Sequence, residues 1–144
     1  MPARSSFDYV VVRVVPRVER EEFINVGVIL FCRTRRFLDA QIELDAQRLT
    51  ALWPDIDPDL VQSHLDIIPR VCTGGPDAGP IGQLPLSERF NWLAAPRSSV
   101  IQTSPVHSGL CTDPQTTLQR LFETLVRLPL ANRQSREATI AHKR

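Results

Sequence analysis

A chain of 144 residues, 42% hydrophobic and with a formal net charge of +1, is sized for one domain that buries roughly two-thirds of its unfolded surface. So balanced a charge excludes a global field that gathers nucleic acid or acidic partners, and any anion site must be built locally. Three widely spaced cysteines (Cys32, Cys72, Cys111) without a C-x-x-C pair make neither a disulfide framework nor a zinc ribbon. No apolar run nears the ~20 residues of a bilayer span, and Met1–Ser6 lacks the apolar stretch of a signal peptide. The expectation is a cytoplasmic protein with no membrane segment, metal or cofactor.

"FDYVVVRVVP" (7–16) is rich in β-branched residues on both faces and predicts an interior strand, interrupted by Arg13. The acidic link "VEREEF" suits a single helical turn. "INVGVILFC" (24–32) is a second such strand, and "RTRR" (33–36) closes a hairpin to a third, "FLDAQIEL" (37–44). In that third strand Leu38, Ala40, Ile42 and Leu44 alternate with Asp39, Gln41 and Glu43, which implies one wet face.

A short helix follows, capped by Asp45 and stopped before Pro54, then a second with Asp57 as cap and Pro58 at its first position. The second helix carries the apolar stripe Leu60, Val61, Leu65 and Ile68, with His64 as a core or boundary histidine beside it, and Pro69 is expected to kink or end it. "TGGPDAGPIG" (73–82) reads as a loop. A helix from Ser87 halted by Pro96, a fourth strand at 98–104, irregular chain over 105–111 and a firm helix opened by Asp113 and Pro114 complete the pattern. Residues 1–130 form one domain and 131–144 a flexible tail. The order predicts an α+β fold: a mainly antiparallel sheet of about four strands with helices packed largely on one face.

The common enzyme signatures G-x-x-x-x-G-K-[ST], G-x-G-x-x-G, H-E-x-x-H and G-x-S-x-G are absent. The chemistry-bearing stretch is "APRSSVIQTSPVHSGLC" (95–111). Arg97 offers a planar guanidinium for a carboxylate or phosphate. Ser99, Gln102, Thr103 and Ser104 add hydroxyls and an amide, and His107 follows the strand-ending Pro105. His107 as general base with Cys111 as nucleophile is the catalytic reading; the stronger reading of Cys111 is a buried small hydrophobe. Arg13, in an apolar strand, must reach water, pair with an acid such as Glu43 or Glu22, or line a site with Asn25; the ion pair is the favoured alternative.

"YVVVRVVPRVEREEFINVGVILFC", "GPIG" and "ERFNWLAAPRSSVIQTSPVHSGLC" together resemble the bacterial family DUF3037, over about Tyr9 to Val126. The resemblance implies a small single-domain cytoplasmic protein without an established activity, and a link to HipA-like kinases that would make it a partner or regulator. The leading expectation is therefore a non-catalytic module that docks a protein partner through residues 97–107 and the 73–82 loop. The alternative is a small enzyme or binder for an anionic ligand such as a nucleotide or phosphoester, and nucleic-acid binding through the basic tail ranks below both.

Overall fold

Apolar residues fill both faces of the first two strands because both faces are covered. In the computed structural model, which describes residues 3–96 and 99–128, strands β1 (Ser5–Val14), β2 (Ile24–Cys32) and β3 (Phe37–Ile42) form an antiparallel meander in the spatial order β3-β2-β1. The 33–36 turn closes the expected hairpin, and a 3-10 turn occupies Val18–Arg20 in the acidic link.

One irregularity sets which side chains of β2 face which layer. The β1–β2 register runs Val12↔Gly27 and then Arg13↔Asn25, so Val26 is an extra residue, a β-bulge. A one-residue insertion inverts the facing of everything beyond it. Ile24 and Val26 accordingly lie in the same core as Ile29 and Phe31, while Val28, Leu30 and Cys32 lie in the opposite one.

The larger core is covered by α1 (Ala46–Leu52), α2 (Pro58–Leu65), α3 (Ile67–Thr73) and α4 (Leu86–Ala94), and is filled by Val10, Val12, Val14, Ile29, Leu49, Leu65, Val71, Phe90 and their neighbours. The smaller core lies under α5 (Pro114–Leu125), where Leu118 and Phe122 meet Phe7, Val28, Leu30, Cys32 and Cys111. The helices thus gather on one face as expected, with α5 closing the other. The caps are also as expected: Asp45 accepts two backbone N–H groups from the first turn of α1, and Asp57 and Asp113 accept one each at the starts of α2 and α5.

Two expectations need correction. The chain breaks between α2 and α3 at Asp66, not at Pro69, which sits third in α3; a first-turn proline removes an N–H that has no intrahelical acceptor anyway. Residues 107–111 are also not irregular. β4 (Ile101–Thr103) pairs with the Val12–Val14 end of β1, and after Pro105 the chain returns to the same edge as β5 (His107–Cys111), pairing with Ser5–Tyr9. The proline interrupts the ladder for three residues only, because the Val11 gap is closed by Ser104. Its N–H donates to the Val11 carbonyl (2.9 Å), and its Oγ accepts the Val11 N–H (2.9 Å).

The glycine-rich segment is held from inside. Arg89 on α4 donates to the carbonyls of Val71 (3.1 Å), Cys72 (2.9 Å) and Leu84 (2.9 Å), tying the end of α3 to the start of α4. Gly74 takes φ +74° there, with Arg89 packed where a Cβ would stand. Among the described residues no helix is long and apolar enough to cross a membrane.

Candidate functional site

An apolar groove of about 420 Å³ opens on the helical side of the sheet, beside β4. One wall is α2, which presents Asp57, Leu60, Val61 and His64, the spacing of a single helix face. The floor is Ile56, Ile68, Trp92 and Leu93, and Ile67 at the start of α3 closes one side. The opposite wall is the run Ser99–Thr103. In β4 itself, Ile101 and Gln102 point to opposite faces of the sheet, so a wall made of consecutive residues is the edge of the strand and not one of its faces.

Three large apolar side chains stand open around this groove: Leu60 at 57% exposure, Ile67 at 43% and Val100 at 40%. Leu60 was expected in the buried stripe of its helix; Val61 and Leu65 fill that role, and Leu60 is turned a further step round toward β4. His64, expected at the core boundary, is exposed on the groove side of α2. Asp57 lines the groove; Asp55, Asp59 and Asp66 flank it along the chain and are also exposed, and no lysine or arginine occurs between Trp53 and Pro69.

The residues singled out in the sequence divide by location. Ser99, Gln102 and Thr103 line the groove. Ser99 Oγ donates to the Ile101 carbonyl (2.7 Å) and Gln102 Nε2 to the Ser99 carbonyl (2.9 Å), which shapes the entry to β4, while Thr103 Oγ1 reaches the Ala94 carbonyl at the end of α4 (3.3 Å). Ser104 is buried and occupied as the clasp on Val11. Arg97 lies outside the described residues, as does the 131–144 tail.

Arg13 and Asn25 are brought together, as cross-strand partners beside Gln102 on the α5 face of the sheet. The ion pair expected for Arg13 is not formed: Glu22 pairs with Arg20 and Glu43 with Arg127. The guanidinium lies instead over the Phe23 ring, 4.2 Å from its centroid, because a cation on a strand flanked by a half-exposed aromatic can shed part of its hydration onto the ring face. Asn25 Nδ2 donates to the Leu125 carbonyl of α5 (3.1 Å). Arg13 Nε and Asn25 Oδ1 are buried without a hydrogen-bond partner among the described residues, a donor and an acceptor on adjacent strands.

His107 and Cys111 are not brought together. They sit at opposite ends of β5, paired with Tyr9 and Ser5, which at about 3.3 Å per residue separates them by roughly 13 Å. His107 is exposed with its ring against Tyr9, 5.1 Å between centroids. Cys111 is buried, and burial followed by the neighbouring Cys32 pushes its thiol pKa up. A buried thiol out of reach of the histidine is no activated nucleophile.

Sequence reading found the β4 wall and missed the α2 wall. The available signal was an apolar residue in excess of the core stripe (Leu60) together with four aspartates and no basic residue over residues 54–68.

No curated protein and no solved structure matches this chain. The model of the family described as "Protein of unknown function (DUF3037)" matches residues 9–126, which span all five strands and all five helices described above apart from the first residues of β1. The chain belongs to the DUF3037 family.

Proposed function

We propose that this protein is a non-catalytic binding module that docks a protein partner in the groove between α2 and β4, with a HipA-like kinase as the candidate partner. The observation that carries the reading is the set of exposed apolar side chains, Leu60, Ile67 and Val100, gathered on one concave site; clustered apolar exposure is uncommon on a surface that stays in water. The separation of His107 from Cys111 supports the non-catalytic part. The docking surface proposed here leaves out the 73–82 loop, whose glycines and prolines serve its own 3-10 turns and the contacts with Arg89.

The test is calorimetric titration of a purified HipA-like kinase from the same host into the wild-type protein and into Leu60→Arg. Leu60 is exposed, so the variant should keep its thermal midpoint. Binding by wild type and loss of at least tenfold in the variant, about 1.4 kcal/mol, supports the reading. Equal binding by both removes the groove from the proposal, and binding by neither removes this partner.

A further inference from the structure

Resting on that docking reading, we infer that the partner segment binds by strand addition: an extended segment bearing lysine or arginine beside an apolar residue lies along the open edge of β4. The ladder geometry exposes the groups this needs. The Val15 N–H donates to the Val100 carbonyl (2.6 Å) and the Ser104 N–H to the Val11 carbonyl (2.9 Å). Hydrogen-bonded pairs in an antiparallel ladder recur at every second residue, so Gln102, opposite Arg13, turns its backbone groups toward β1. Ile101 and Thr103 therefore turn theirs outward, to the groove side. Of these, the Ile101 carbonyl is occupied by Ser99 Oγ; among the described residues the Ile101 N–H, the Thr103 N–H and the Thr103 carbonyl have no partner and face a new strand. Unpaired strand edges are templates for another chain, and an extended segment laid on such an edge takes affinity from main-chain bonds and specificity from side-chain pockets.

The dimensions fit. From Asp57 to His64 the α2 wall rises about 10 Å, and Ser99–Thr103 spans about 13 Å, room for roughly four extended residues. Leu60, Ile67, Trp92 and Val100 provide the apolar pocket for a side chain projecting from the added strand. The sign of the flanking charge follows from the segment that forms the α2 wall: Asp57 lines the groove, and Asp55, Asp59 and Asp66 are exposed beside it in the chain, with no lysine or arginine between Trp53 and Pro69. A strand carrying lysine or arginine lowers its energy in that field, while an acidic one is repelled.

A library of random peptides displayed on phage, selected against the full chain, supplies the probes. Enriched peptides are synthesised and titrated by fluorescence polarisation into wild type, Leu60→Arg and the double variant Asp55→Asn, Asp59→Asn, and amide exchange is followed by NMR. Asp57 is spared because it caps α2. The expected result is enrichment of lysine or arginine next to an apolar residue, binding weakened about tenfold in both variants, weakening at raised salt, and slowed exchange at the Ile101 and Thr103 amides. Peptides that perturb α2 while leaving those two amides unchanged, or that carry no basic residue, overturn strand addition and leave groove docking standing. Peptides that bind equally well to Leu60→Arg overturn both readings. Protection of the Ile101 and Thr103 amides before any peptide is added shows the edge already covered by the chain's own tail or a second copy, and likewise overturns the partner strand.

Discussion

Replacing Ser104 by alanine separates a structural role from a ligand-binding one. The residue is 3% exposed and Val11 beside it 7%, and the serine hydroxyl is the acceptor that satisfies the Val11 N–H where Pro105 interrupts the sheet. The same hydroxyl donates to the Pro105 carbonyl (2.9 Å), but Pro105 is exposed and its carbonyl can turn to water at little cost. The loss is therefore that of a buried backbone donor left unpaired, about 1–3 kcal/mol. Taking about 2 kcal/mol, and an unfolding entropy of roughly 2.1 cal/mol/K per residue, the thermal midpoint of a domain of this size falls by about 7 °C. Urea unfolding followed by tryptophan fluorescence gives the free energy, and native-state hydrogen exchange locates it: the Val11 amide should exchange much faster in Ser104→Ala while Val10 changes only by the global loss. A cost below about 0.5 kcal/mol with Val11 exchange unaltered would refute the clasp and return Ser104 to the groups free to meet a ligand.

Gly27→Ala should destabilise by about 1–3 kcal/mol in the same urea assay, because the added Cβ stands 2.8 Å from the Gln41 carbonyl of β3 and against the Ile42 side chain; a neutral result would mean that β2 and β3 approach less closely. Burial, and then the charge of Asp39, push the Cys72 thiol from 9.0 up to about 12. The folded state thus keeps a proton that the unfolded chain releases. The stability linked to this group is complete below about pH 9 and declines as pH rises toward 12, at up to about 1.4 kcal/mol per pH unit. Cys72→Ala should flatten that part of the alkaline decline in a pH series of urea midpoints, and an unchanged slope would remove Cys72 as its source.

Much of the fold was legible because its signals are local. Asp45, Asp57 with Pro58, and Asp113 with Pro114 mark helix starts by chemistry that acts within one turn, and all three helices begin where those residues stand. The β5 strand was illegible for the opposite reason. "HSGLC" has little strand character of its own; it is extended because Ser5–Tyr9 of β1 offers an unpaired edge, which depends on a partner a hundred residues away. The reading of Leu60 failed in a related way. Helical periodicity names which residues share a face, but whether a residue at the margin of the stripe is buried depends on how the helix is rolled against its neighbours.

By itself, then, the sequence determined what short-range chemistry controls: the α+β class, the first three strands and their hairpin, the helix caps, and the polar segment that becomes the β4 wall. Only the tertiary structure decided the rest. The bulge at Val26 chose which β2 side chains enter which core. Strand pairing set Arg13 beside Asn25 and held His107 apart from Cys111, and the packing of α2 against the sheet left Leu60, Ile67 and the β4 edge facing one groove. Each of these depends on contacts between residues far apart in the chain, and such contacts form only when the loops between them close and the cores on both sides of the sheet are filled.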